Sequence, residues 1–463
     1  VSASRAGRSS GGAASARRGV PTRWLDLLFV ATLSVLTWET VRWQFVANLT
    51  ASNLLTLAFV FAFLLDRIRR RDGRMHPAAL TLCGFGLGFA AIYLAGYFDL
   101  ANHDALVYWV KGMAVWVVHF AFLICGVAYL VRRGRPLYVR GLRWFLAGIV
   151  VNCCYGLAQL AAQVGAGINL DKVVLAHFTS DGAGGLNVYG QVGGSSVYRV
   201  NALTTDTNHL GVMLCMPLLV GLAYYLGAPR QRRWMGAVLL IMLLTQMLTL
   251  SRSAALGDVA GLLVLYPMAS GYLPRLRTLL AGAAAVAVVA VVAVSSSHYL
   301  STVVGSRLQV SNGDNSTHLL FYQLVPQALD PHPLFGMGVN TFAVFFEFVT
   351  GRPDFGAHSM WVTVIVETGM VGLTLYLAFL GYLLMSGWRM AQSADPEAAR
   401  YGLGFLAALV GTAAANFFYL TMTFDYFFAA CVLLVAGAAL FAPARAVAAA
   451  RPARAVAAGT AGG

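Results

Sequence analysis

Long apolar runs alternate with short polar interruptions along almost the whole chain. Windows of about 20 apolar residues are long enough to cross a bilayer as helices. They fall at 24–45, 52–66, 77–97, 106–131, 140–163, 206–227, 234–250, 253–270, 277–296, 359–385, 401–421 and 426–443. The pattern predicts an all-α polytopic membrane protein of about twelve transmembrane helices, with 52–66 and 253–270 among the short ones. The first run is too long for a signal-peptide core and reads as a retained signal-anchor. Two connections stand out by length, roughly 164–205 and 297–358. In the second, Leu319, Leu320, Phe321, Leu324 and Val325 recur at helical spacing, which predicts a helix over 317–328 packed on the bundle and closed by Pro331-His332-Pro333. The expected organisation is one membrane domain over 24–443, capped by this partly helical loop, between disordered tails at 1–23 and 444–463.

Composition and charge sharpen this reading. Hydrophobic residues make up 59% of the chain and charged residues 11%, against about 25% charged in a soluble domain. The net charge is +14, but its distribution points to topology and not to nucleic acid. With both termini cytoplasmic, 25 of the 32 Lys and Arg residues fall on the cytoplasmic side, as the positive-inside rule requires. The long loops then face the outer side. All six cysteines lie within apolar spans, without the spacing of a metal site or a loop disulfide.

Seven cations remain outside the cytoplasmic set: Arg42, Lys111, Lys172, Arg199, Arg252, Arg307 and Arg352. Arg252 follows Thr249-Leu250-Ser251 between two adjoining spans, where a fixed guanidinium would suit a phosphate. Arg199 precedes Thr204-Thr205-Asp206-Thr207-Asn208-His209 at the start of another span, where Asp206 is the expected helix cap and His209 an interior residue. A cation beside that helix start also suits an anion. Lys111, Glu39, Asp258 and Glu367 read as ionisable groups within spans. Glu367 lies nine residues beyond His358, about 13 Å along a helix, and is expected to make structural hydrogen bonds. The outward acids are scattered in sequence, so no hard-metal cage is expected.

His358 and Ser359 are followed by nine residues and then Gly369-Met370-Val371-Gly372. Ser359 is placed to cap the following span, and the glycines, three apart, would let another helix approach. A histidine at the mouth of a span can exchange protons near neutral pH. The pattern His-(Asn/Ser/Gln)-x9-Gly-x-x-Gly resembles that of the bacterial O-antigen ligases of the WaaL type. Pro333-Leu334-Phe335-Gly336-Met337-Gly338, with Phe342, is similar to a Pro-Leu-x-Gly-x-Gly-x-x-x-Phe segment shared by these ligases and the Wzy-type O-antigen polymerases. The Ser251-Arg252 pair and Arg199 with Asp206-Thr207-Asn208 also resemble that superfamily. The likeness covers roughly 195–375. It departs at His318, where the family often carries an arginine.

The resemblance implies a GT-C-like glycosyltransferase of the bacterial inner membrane with its site on the periplasmic face. The donor would be an O-antigen glycan on undecaprenyl diphosphate and the acceptor a lipid A-core hydroxyl. His358 would activate the acceptor, and Arg199, Arg252 and Arg307 would hold the diphosphate, Arg307 substituting for the family arginine. His318, Asn208 and Lys111 are accessory candidates. Transfer would invert the anomeric carbon, with no metal or other cofactor. A Wzy-type polymerase and a protein O-oligosaccharyltransferase would share this donor. A polysaccharide transporter or flippase would also use intramembrane charges, but the chain shows no inverted repeat or matched broken helices.

Overall fold

The computed structural model describes residues 22–44, 48–71, 74–179, 185–192, 195–227, 232–268, 314–352, 356 and 358–441. Arg307, the span expected at 277–296 and nearly all of both expected tails lie outside these residues. The described chain is almost entirely helical. Among the described residues, seven helices are long and apolar enough to cross a membrane: α2 (Ala51–Arg70), α3 (Pro77–Ala95, continued by a 3-10 turn to Asp99), α4 (His103–Arg133), α5 (Arg135–Ala166), α7 (Thr207–Gly227), α12 (Met360–Ala391) and α13 (Pro396–Ala415). Shorter helices occupy four further apolar windows: α1 (Thr22–Val35), α8 (Arg232–Leu248), α9 (Arg252–Met268) and α14 (Asp425–Phe441). The protein is therefore a polytopic membrane protein, while a count of twelve spans rests on the sequence alone.

The first window departs from expectation. Its helix ends at Val35, not near residue 45, and the chain forms an antiparallel hairpin of β1 (Arg42–Gln44) with β2 (Asn48–Thr50). Aromatic and β-branched residues such as Val41 and Trp43 favour extended backbone there. Glu39 therefore stands beyond the helix, not within a span, and accepts hydrogen bonds from the backbone N–H and hydroxyl of Thr205. The 164–205 connection carries the short helix α6 (Leu170–Val173) and a second hairpin, β3 (Asn187–Val192) with β4 (Ser195–Arg199). The 297–358 connection carries α10 (Asp314–Leu329) and α11 (Phe342–Thr350). Phe321 and Leu324 of α10 are buried with Phe342, Phe346, Val362 and Val366, which ties this loop to the bundle as its helical spacing predicts.

The core is centred on α14, buried from Tyr426 to Ala438 and packed against α4 and α12. Beside it, α13 packs closely on α7 and α9. Gly411 meets Gly257 so tightly that a Cβ on Gly411 would stand 2.5 Å from the Gly257 carbonyl oxygen. Small residues commonly allow such approach between membrane helices.

Candidate active site

At one end of the bundle, the entrance of α12 is built from local capping. Ser359 has extended backbone and accepts the Val362 N–H through its hydroxyl, as a cap should. The same hydroxyl lies 2.9 Å from the phenol of Tyr322 on α10, which donates to the Phe417 carbonyl at 2.6 Å. The Met360 N–H is shared between the carbonyls of Asn416 and Tyr419. His358 immediately precedes a helix start that is bonded to the 416–424 connection joining α13 to α14. Its φ is +43° and its ring is exposed, 5.9 Å from that of Phe321. A non-glycine residue with positive φ is uncommon, and such strain often accompanies functional sites.

The Gly-x-x-Gly half of the motif has a different role from the one expected. Gly369, at φ +64° and ψ −166°, interrupts α12. In an unbroken helix the N–H groups of Met370 and Val371 would donate to the carbonyls of Val366 and Glu367. Here they donate to the carbonyls of Pro333 and Leu334, and the freed Val366 and Glu367 carbonyls accept from Met337 and Gly338. The Pro-Leu-Phe-Gly-Met-Gly segment is thus docked into the broken helix through four backbone hydrogen bonds of 3.0–3.2 Å. Gly369 receives a loop and not another helix. The glycines in the loop are equally constrained. Gly336 (φ +70°) would place a Cβ 2.5 Å from the backbone of α12.

Glu367, buried at this break, accepts from the N–H groups of Asn340 at 2.7 Å and Phe342 at 3.2 Å, fixing the start of α11. This is the structural role expected for it. The Asn340 side chain donates to the Tyr108 carbonyl on α4, and Nδ1 of His332 lies 3.2 Å from Asp99 beyond α3. Segment 332–342 is therefore wedged between α12 and the ends of α3 and α4. A cavity of about 280 Å³ lies beside it, lined by Lys111, His119, Asn340, Gly356, Met360 and Glu367 among others. The Lys111 ammonium stands 5.3 Å from the Tyr108 ring centre.

A second cluster holds the two arginines and is arranged by a short turn. The turn between α8 and α9 carries Leu250 at φ +54°, immediately before Ser251 and Arg252. The Arg199 guanidinium donates to the Thr249 carbonyl and to the Asn208 side chain, both at 2.7 Å. Asn208 thus orients Arg199, and Arg252, two residues beyond Leu250, opens α9. Asp206 caps α7 through the His209 N–H. His209 is wholly buried, with its ring 3.6 Å from that of Phe424, and is the interior residue expected.

One connection is common to both clusters. Tyr419, which accepts from Met360 beside His358, also packs with Val212 and Ala254 on the helices that carry Asn208 and Arg252. Burial, reinforced by the nearby carboxylates of Asp206 and Glu39, pushes the Tyr419 phenol well above its ordinary pKa and keeps it neutral. Tyr322, Asn416 and Tyr419 carry no sequence signal that singles them out. Arg307 lies outside the described residues, and of His318 only its position on α10 is described. Among the described residues no three His, Cys, Asp or Glu side chains gather as metal ligands would.

Residues 237–377, from α8 through the break in α12, match the family model described as Wzy_C, O-antigen ligase. Over this stretch the chain is similar to an O-antigen ligase domain. The matched residues of this domain take in Arg252, the docked 333–338 segment, His358 and Gly369, while Arg199 precedes them. The family model spans both WaaL-type ligases and Wzy-type polymerases, so it does not divide the two. No curated protein matches the chain.

Proposed function

We propose that the protein is a glycosyltransferase that moves an O-antigen glycan from undecaprenyl diphosphate to a sugar hydroxyl of lipid A-core. The reaction takes place at the periplasmic face of the bacterial inner membrane, with both termini cytoplasmic. What supports the proposal is that the start of the helix following His358 and the helices bearing Asn208 and Arg252 are tied to the same 416–424 connection, through Met360 and Tyr419, and that residues 237–377 match the O-antigen ligase model.

Arg199 and Arg252, with Arg307 as third cation, bind the diphosphate and stabilise the charge it gains as leaving group. Neutral His358 accepts the acceptor hydroxyl proton as the acceptor oxygen bonds to the anomeric carbon and the bond to diphosphate breaks. One displacement inverts that carbon and leaves no covalent enzyme intermediate. Asn208 positions Arg199, Lys111 faces the cavity beside the α12 entrance, and His318 belongs to the loop above it. Positive charge at the leaving group comes from guanidinium, so no divalent ion is required.

A polymerase or a protein O-oligosaccharyltransferase would use the same arginines. The deciding experiment offers purified enzyme and lipid-linked glycan three acceptors in parallel: lipid A-core, a second lipid-linked repeat and a pilin-like peptide. Glycosylated lipid A-core is the expected product. Exclusive transfer to either other acceptor overturns the ligase assignment.

A further inference from the structure

At the end of the bundle opposite His358, a crevice of about 160 Å³ opens between α1, α2 and α4. Its walls are apolar, formed by Leu25, Leu28, Ala62 and Leu65, and its rim carries Trp24, Arg69 and Arg132. The exposed side chains of Trp24, Leu27 and Ile68 show that this face looks outward and not into the bundle. Tryptophan at such a level is typical of the membrane–water boundary.

The charges around the crevice are unbalanced. Asp66, its acidic residue, is buried and held by Arg70 at 2.8 Å and Arg132 at 3.0 Å. Asp26 is likewise engaged by Arg133 and the Tyr129 hydroxyl. Against these two aspartates stand Arg67, Arg69, Arg70, Arg71, Arg74, Arg132 and Arg133. Both carboxylates are already neutralised, so the rim presents excess positive charge above an apolar slot. Topology alone explains arginines at this end of the helices. It does not explain a slot with hydrocarbon walls directly beneath them.

We propose that this crevice binds an anionic glycerophospholipid of the adjacent leaflet, with its phosphate on Arg69 and part of one acyl chain against Leu25, Leu28 and Leu65. Charge complementarity selects the headgroup, and the apolar walls select a lipid over a free anion. The proposal rests on the membrane reading and is independent of the transferase chemistry at the other end.

The test is native mass spectrometry of the delipidated protein in mild detergent, titrated with phosphatidylglycerol, phosphatidylcholine or inorganic phosphate. Wild type should retain phosphatidylglycerol preferentially. Arg69→Gln should weaken that binding about fivefold, the typical contribution of one arginine near a membrane surface. Leu65→Trp, which fills the slot without changing charge, should abolish it. Equal retention of phosphatidylcholine by wild type, or wild-type binding by Leu65→Trp, overturns the proposal. Binding of inorganic phosphate by Leu65→Trp as by wild type overturns it too, by revealing a bare anion site. Should either variant fail to fold, the comparison of the two lipids on wild type still decides the question.

Discussion

Replacing Gly369 by alanine attacks the junction on which the candidate site is built. At φ +64° and ψ −166° the backbone lies in a region essentially restricted to glycine. Forcing another residue into it costs about 1–3 kcal/mol. The new Cβ would also stand 2.4 Å from the Leu334 carbonyl carbon and oxygen and 2.7 Å from the Gly336 nitrogen. These are backbone atoms, so no rotamer change relieves the contact, and overpacking of this kind costs about 1–3 kcal/mol more. The expected destabilisation is therefore about 2–6 kcal/mol if the junction holds. Otherwise α12 straightens, its two missing helical hydrogen bonds form, and segment 333–338 is expelled. Thermal unfolding in detergent tests the first outcome, and hydrogen exchange at the Met337 and Gly338 amides tests the second. Gly381→Ala is the control, on the same helix with open space around it. Wild-type melting together with wild-type protection of both amides in Gly369→Ala would refute the reasoning.

The chemistry yields further expectations. His358→Ala should lower transfer by at least about a hundredfold, the usual scale of acid–base catalysis, while donor binding stays near wild type; near-normal turnover removes the histidine from the mechanism. Arg252→Lys retains charge but loses the planar fork, so donor affinity should remain impaired in a binding assay, and full restoration would point to a purely electrostatic role. Glu367→Ala leaves the Asn340 and Phe342 N–H groups without their acceptor, at about 1–3 kcal/mol for each group left unsatisfied. It should lower the melting temperature clearly more than Glu367→Gln, which keeps an acceptor oxygen. Purified enzyme should transfer glycan in excess EDTA. Activity that vanishes there and returns with Mg²⁺ would require a carboxylate site in the mechanism.

Elements governed by local rules were legible in the sequence. The apolar windows located eleven of the described helices, though not α6 or α11 and with α1 shorter than its window, Ser359 and Asp206 announced themselves as caps, and the helical spacing of Phe321 and Leu324 foretold a loop helix that packs. What depends on distant partners was not legible. Gly369 and Gly372 look like a helix-packing notch because nothing near them in sequence reveals that Pro333 and Leu334 supply the missing acceptors. Glu39 reads as intramembrane because its window is apolar, yet Thr205, far along the chain, is its partner. Tyr322, Asn416 and Tyr419 became identifiable only when α10, α12 and α13 were brought together.

The spacing in His-Ser-x9-Gly-x-x-Gly now has a physical meaning. Ser359 fixes where α12 begins, and Gly369 fixes where it breaks. Between them run the nine residues 360–368, two and a half helical turns that rise about 13 Å. This short rod has a separate attachment at each end. At the top the Met360 N–H and the cap hydroxyl meet the 416–424 connection and Tyr322. At the bottom, the carbonyls of Val366 and Glu367 take the docked loop, and the Glu367 carboxylate takes the start of α11. A helix turns about 100° per residue, so a different length would swing Glu367 away from Asn340 while leaving the Ser359 cap beside His358 as before. The fixed count thus sets the height and direction of the loop relative to the histidine. Such a fixed frame matters where an acceptor hydroxyl and an anomeric carbon must meet at near-bonding distance, because small errors of position there are costly in rate.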